Sequence, residues 1–269
     1  MMTQIKSQVY ASSEYSCADL PDINWNAPPK RLDLRDGDID LWRANLDAPA
    51  RAINRYIDWL SPYEKKRANR YYFNRHRQRF IVRRILLKKI IGAYLNINAW
   101  EVLLDRNQFG KPFLAQQMVD QLQFNLSFSN NLALFAFSRS NAIGVDIEMI
   151  NDTVIGENIA QHHFSSNEIA TFISLPRDQQ AEAFYNCWTR KESWIKARGM
   201  GLSIPLDSFE VSLTPGEPAR LISTSEYANK QSEWSMFSLS PAPGYTAAVA
   251  VQTATTNKRQ FEISLSTGL

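Results

Sequence analysis

Two cysteines, Cys17 and Cys187, are all that 269 residues contain. No disulfide framework follows from them, and such scarcity fits a reducing compartment, so a cytoplasmic protein is expected. Histidine is nearly as rare. Of the three present, His162 and His163 are adjacent, a spacing that suits no common zinc site. No run of about 18 apolar residues occurs, so no membrane span is expected. The N-terminal stretch MMTQIKSQVYASSEYSC has no apolar core, which excludes a secretory signal there. Three nucleotide and hydrolase signatures are also missing. There is no Gly-x-x-x-x-Gly-Lys-(Ser/Thr) loop, Gly199-Met200-Gly201 lacks the third glycine of a dinucleotide fingerprint, and no Gly-x-Ser-x-Gly elbow is found.

What is present is an ordinary globular composition, 44% hydrophobic and 21% charged, with seven Trp and fourteen Phe that argue against disorder. The net charge of +3 conceals an asymmetry. Between Glu64 and Lys89 eleven cations face a single acid, so the remainder of the chain is acidic. A cationic segment on an acidic body points to a polyanionic partner. Tyr71, Tyr72 and Phe73 lie among the cations, so a nucleic-acid groove and a small phosphate site both fit the segment taken alone. A solvated helix face is the usual fate of a charge run, but eleven cations against one acid repel without an anion to bind.

Residues 1–37 are polar and lack periodicity, as a loosely ordered extension would. Asp40–Leu46 alternates as a strand, Ser61-Pro62 opens a helix, and a longer helix over 76–95 carries Phe80, Ile81, Ile85, Leu87, Ile90 and Ile91 on one face, with Arg77, Arg84 and Lys88 off its centre. Strands are expected at 102–104, 124–129, 132–138 and 142–149, the last two as a hairpin about Arg139-Ser140-Asn141. A capping box, Ser165-x-x-Glu168, and a helix over 180–198 ended by Gly199 follow, then strands at 209–213, 234–239 and 245–251. This order predicts an α+β fold of two similar halves, 38–140 and 141–269.

Two short stretches carry the chemistry. In Ile143-Gly144-Val145-Asp146-Ile147-Glu148-Met149-Ile150 the carboxylates of Asp146 and Glu148 share one strand face. They repel unless the face is solvated or a cation sits between them, and oxygen ligands at this spacing suit Mg²⁺. On the later helix, Phe184, Cys187, Trp188 and Ile195 form an apolar stripe with Lys191 near its middle and Glu192 and Lys196 at one edge. Lys191 can snorkel to water and Glu192 can pair with Lys196, or Glu192 can complete a metal site begun on the strand.

Taken together, Gly144-Val145-Asp146-Ile147-Glu148 and, later, Trp188-Thr189-Arg190-Lys191-Glu192-Ser193-Trp194-Ile195-Lys196 resemble the two-part pattern of the Sfp-type 4′-phosphopantetheinyl transferases. Gly110-Lys111-Pro112, Phe124-Asn125-Leu126-Ser127-Phe128-Ser129 and the Arg70-Tyr71-Tyr72-Phe73 segment are similar too, the last to cyanobacterial members. The resemblance implies a pseudo-twofold pair of α+β halves with coenzyme A between them. It implies transfer of the 4′-phosphopantetheine arm from coenzyme A to a serine of an apo acyl, polyketide or peptidyl carrier protein, with release of 3′,5′-ADP. It implies Mg²⁺, with Mn²⁺ as a substitute, held by Asp146, Glu148 and Glu192. Glu192, or a water it holds, would be the base, with Lys196 near the diphosphate and Lys191 a further motif lysine at the coenzyme A site. Lys65 or Lys66, Arg67, Arg79 and Lys88 would meet the 3′-phosphate and adenine side, Lys111 and Pro112 the adenine, and Ser127 a phosphate. Phe128 departs, because the family usually places there a histidine that donates to a coenzyme A phosphate. The expected consequence is an active enzyme with a raised KM for coenzyme A, which Phe128→His would lower. A monomer without nucleic-acid or membrane partners completes the expectation, since a nucleic-acid role leaves Asp146, Glu148 and Glu192 unexplained.

Overall fold

The computed structural model describes residues 25–115, 122–151, 157–224, 231–253 and 257–269. Within these, β1 (Ile39–Asn45) is followed by α1 (Ala50–Asn54), α2 (Pro62–Ala68), α3 (Asn74–Leu95), β2 (Leu104–Arg106), β3 (Pro112–Leu114), β4 (Gln123–Ser129), β5 (Leu132–Ser138) and β6 (Ile143–Met149). Next come α4 (Glu157–His163), α5 (Ser166–Ser174), α6 (Arg177–Arg198), β7 (Phe209–Val211), β8 (Leu221–Thr224), β9 (Ser235–Leu239), β10 (Tyr245–Val251) and β11 (Lys258–Glu262). The fold is α+β, as expected. Most of the extension read into residues 1–37 lies outside the described residues.

Two sheets organise the molecule. The first has the order β11-β1-β5-β4 and the second β6-β10-β9. Alternation along the strands divides the apolar residues among three cores. Trp42, Phe135 and Phe137 face α3, with Phe80, Ile85 and Ile91. Ile39, Leu41, Leu134 and Ala136 turn the other way and meet Ile143, Val145 and Ile147 of β6 between the sheets. The opposite side of the second sheet packs on α6, through Ala250, Trp194 and Ile195. Each sheet is therefore backed by one long helix.

Two expectations need correction. β5 and β6 are not a hairpin, since β5 pairs with β4 and β1 whereas β6 pairs with β10. The hairpin is β4–β5, where Ser129 faces Leu132 across Asn130-Asn131 and Asn130 takes the left-handed φ of 50°. Asparagine tolerates that conformation, and Asn-Asn between two apolar strands is the turn signal that Arg139-Ser140-Asn141 obscured. β11 was not expected at all. It runs parallel to β1, so the end of the chain returns to the first sheet, where Arg259 grips the fully buried Asp40 with both carboxylate oxygens at 2.7 Å.

Nor is the basic helix a solvated face. Arg79, Arg83, Arg84 and Lys88 are all buried. Glu64 explains two of them. It caps α2 in a reciprocal box with Ser61, and its carboxylate also lies 2.6 Å from Arg84 and 3.7 Å from Lys88. Burial alone would raise its pKa, but Arg84, the Ser61 backbone and Lys88 together outweigh that and hold it below the ordinary carboxylate value. A depressed pKa means stability that is present above the unfolded value of about 4.3 and is lost as pH falls through the folded one. Glu64→Gln should destabilise the protein by about 3–5 kcal/mol at pH 7, because it strands two buried cations. In urea unfolding the gap between variant and parent should narrow as the pH is taken below about 4.

Candidate active site

The residues of β4 that point away from α3 are Asn125, Ser127 and Ser129, and all three bond to β6. Asn125 Oδ1 accepts from the Val145 amide at 3.0 Å, and Ser129 Oγ accepts from the Met149 amide at 3.1 Å. Between these clamps Ser127 donates to Asp146 Oδ1 at 2.7 Å, and Ser129 donates to Glu148 Oε2 at 2.9 Å. The i, i+2 serines of β4 thus match the i, i+2 carboxylates of β6 in the facing sheet. This match was legible in the sequence once the two strands were set side by side.

From the helix side, α6 lies against β6 because position 144 is glycine. A Cβ there would stand 2.0 Å from the Ser193 carbonyl oxygen and 2.3 Å from the Ala197 nitrogen. Such contact brings Lys196 onto the acids, with Nζ 2.5 Å from Asp146 Oδ1 and 3.0 Å from Ser127 Oγ. Glu192 is buried on the same helix, one turn earlier. Asp146 is 1% exposed, and its second oxygen, Oδ2, is buried with no hydrogen-bond partner among the described residues.

Among the described residues no three His, Cys, Asp or Glu side chains are gathered to hold a metal ion by themselves. Asp146 and Glu148 share a face of β6, and Glu192 lies on α6, the helix seated on that strand, without forming a closed cage. This arrangement suits Mg²⁺, which takes one or two carboxylates and completes its octahedron with phosphates and waters. The Oδ2 atom of Asp146 is a buried carboxylate oxygen with no hydrogen-bond partner among the described residues, and the donor set is all oxygen, so the residues present fit that ion.

Several cations expected at the ligand are committed elsewhere. Lys191 is 1% exposed, and its ammonium lies 2.7 Å from Glu168 and from the Leu206 oxygen and 2.6 Å from the Phe209 oxygen. It stands roughly 140° around α6 from Lys196, and it fastens α5 and the segment before β7 to the helix. It does not snorkel either. Lys88 is buried beside Glu64 and donates to the Val102 oxygen at 3.0 Å. Arg79 clamps both oxygens of Asp47, at 2.6 and 2.9 Å, and also reaches Asn130. Lys65 pairs with Asp58 at the surface. For Lys191, Lys88 and Arg79 the physical reason is common: a buried cation takes the nearest acceptor, and that acceptor is distant in sequence.

Lys111 donates to the oxygens of Ile143 and Ala197 at 3.2 and 3.1 Å, and burial pushes its ammonium down to about 8. Together with Asn107, which donates to the Gly199 oxygen at 2.6 Å, it latches the β2–β3 hairpin to the end of α6. Pro112 opens β3 beside it, half-buried. Arg67 is half-buried with its guanidinium over the Phe80 ring. Phe128 lies under a residue that the sequence did not single out, Arg83, whose guanidinium carbon is 3.6 Å from the ring centre.

Family models match almost continuously. Residues 47–140 match the N-terminal region of 4′-phosphopantetheinyl transferases, and residues 142–250 match the 4′-phosphopantetheinyl transferase superfamily. The 4′-phosphopantetheinyl transferase HetI of a Nostoc species is 38% identical over 228 residues, 84% of this chain and 93% of its own. The chain belongs to the 4′-phosphopantetheinyl transferase superfamily. The Sfp transferase of Bacillus subtilis is 31% identical, with 59% of this chain and 69% of its own covered. A human phosphopantetheinyl transferase, named for L-aminoadipate-semialdehyde dehydrogenase, is 30% identical, covering 58% of this chain and 53% of its own. This transferase is an enzyme that uses coenzyme A and acts on carrier proteins. No helix among its described residues is long and apolar enough to cross a membrane.

Proposed function

We propose that Asp146, Glu148 and Glu192 present a Mg²⁺ ion to the diphosphate of coenzyme A, and that a carrier-protein serine attacks the β-phosphorus there. The observation that carries this reading is Asp146, an anion held at one oxygen by Ser127 and Lys196 and left open at the other inside the protein. When bound, the ion neutralises charge that builds on the diphosphate oxygens. Lys196 already sits at the carboxylate, and its side chain is 22% exposed, so its ammonium can turn to a phosphate oxygen without leaving the site. Ser127 offers its hydroxyl to the same phosphate. Glu192, or a water it holds, takes the proton of the attacking serine. The new bond joins serine Oγ to the β-phosphorus. The bond to the bridging oxygen breaks, and 3′,5′-ADP leaves with that oxygen.

The halves 38–140 and 141–269 are read as a pseudo-twofold pair that clasps coenzyme A, each a sheet backed by a long helix, in a protein that works as a monomer. Lys111 and Pro112 line the adenine with their stem and ring, and Arg67 meets the ribose side. The test is an apo carrier protein incubated with coenzyme A and the transferase. Chelation by EDTA should abolish the mass gain of one phosphopantetheine, and Mg²⁺ or Mn²⁺ in excess should restore it. Full transfer in EDTA would remove the metal from this account.

A further inference from the structure

The last four carbonyls of a helix find no partner within it, and a helix end left so frays. At the end of α6 the Gly199 amide closes the last turn by donating to the Ile195 oxygen at 3.0 Å. The next two donors come from far away in sequence. Lys111 Nζ donates to the Ala197 oxygen at 3.1 Å from 86 residues earlier, and Asn107 Nδ2 donates to the Gly199 oxygen at 2.6 Å from 92 residues earlier. Both belong to the turn that joins β2 to β3. Gly199 makes room for them. Its φ of 69° is left-handed, and a Cβ there would stand 3.2 Å from the Lys111 stem and 3.4 Å from Asn107 Nδ2.

Asn107 does two separate jobs with the two ends of its amide. Its Oδ1 accepts from the main-chain amides of Phe109 and Lys111, at 3.0 and 2.9 Å, and so builds the turn. Its Nδ2 goes to α6 instead. The same turn also reaches β6, because Lys111 Nζ donates to the Ile143 oxygen at 3.2 Å. Ile143 precedes Gly144, and Ala197 is one of the two residues whose main chain that glycine admits. The turn therefore bridges β6 and α6 at the point where they touch. Lys196 is the neighbour of Ala197, and its ammonium meets Asp146 and Ser127 from the last turn of α6.

We propose that Asn107 is a positioning residue for transfer: its side-chain amide fixes the last turn of α6, and with it Lys196, against the Asp146 carboxylate. It acts through Lys196 and not on substrate. The proposal rests on the transfer reading above.

Asn107→Asp separates the two jobs. The carboxylate can still accept from Phe109 and Lys111, so the turn stands. It cannot donate to Gly199, and it sets a negative charge at the negative end of the α6 dipole. With coenzyme A and an apo carrier protein, kcat should fall by roughly 10- to 100-fold, as for a catalytic group displaced by up to about 1 Å, while KM for coenzyme A stays near that of the parent. Amide hydrogen exchange of the free enzyme should quicken over residues 192–199 and remain parental over 104–114. Asn107→Ala removes the acceptor of the turn as well, so exchange should quicken over both segments and KM should rise. Parental kcat in Asn107→Asp, or unchanged exchange over 192–199, overturns the proposal. So does a loss shared between kcat and KM, which would make Asn107 a builder of the turn alone. A parent that transfers nothing, with exchange over 192–199 still quickened in Asn107→Asp, would refute the transfer reading and leave the hold on α6 standing.

Discussion

Gly144→Ala is expected to lose transfer by roughly 100-fold or more, the size of effect that follows when reacting groups are displaced by about 1 Å. The reason is steric and local. The added methyl would stand 2.0 Å from the Ser193 oxygen, 2.3 Å from the Ala197 nitrogen and 2.9 Å from the Ala197 Cα. All three atoms belong to the α6 main chain, so no side-chain rotation relieves the contact, and the helix itself must retreat. Lys196 sits between those two residues in sequence and Glu192 just before them, so both move away from Asp146. Overpacking of this kind destabilises by about 1–3 kcal/mol or more, and the melting temperature should fall as well. Steady-state transfer and thermal melting of the variant check both parts. Parental activity in Gly144→Ala would mean that the seat of α6 on β6 does not position the catalytic groups.

Asp146→Asn should lower transfer by about 10³-fold or more with the fold preserved. Removing one preorganised electrostatic contact to a developing charge lowers kcat by roughly 10²–10³-fold, and here the change removes the anion that holds both Lys196 and the proposed ion. The amide retains the size and shape of the carboxylate and can still accept from Ser127. Lys196 has partial access to water, so no cation is stranded inside the protein. That distinguishes Asp146 from Glu64, whose loss leaves Arg84 and Lys88, at 6% and 4% side-chain exposure, with no carboxylate among the described residues. One substitution is expected to act on rate, the other on stability.

The parts of the site that could be read from the sequence are those set by local periodicity. Asp146 and Glu148 share a face because strands repeat every two residues, and Glu192 and Lys196 share a helix edge because helices repeat every 3.6. The same logic placed α2, α3, α5 and α6 to within a few residues. What periodicity cannot supply is the partner across the fold. Lys191 is held by Glu168 and by two carbonyls fifteen and eighteen positions away, and Arg79 by Asp47 thirty-two positions earlier. Each carried a charge that suited a phosphate equally well until those acceptors were placed. Arg83 is the converse case. It was one cation among eleven in the sequence, and only the packing of α3 on β4 shows that its guanidinium rests on the Phe128 ring. The β5–β6 pairing failed for a related reason: adjacency in sequence favoured a hairpin, whereas β6 takes its hydrogen-bonded neighbour from β10, about a hundred residues later.

The most direct measurement of the central claim is intact-protein mass spectrometry of an apo carrier protein after incubation with Mg²⁺, coenzyme A and either the parent chain or Asp146→Asn, with circular dichroism recorded on both enzymes. The parent is expected to add one phosphopantetheine to the carrier and the folded variant none over the same interval. Unimpaired transfer by Asp146→Asn would contradict the account.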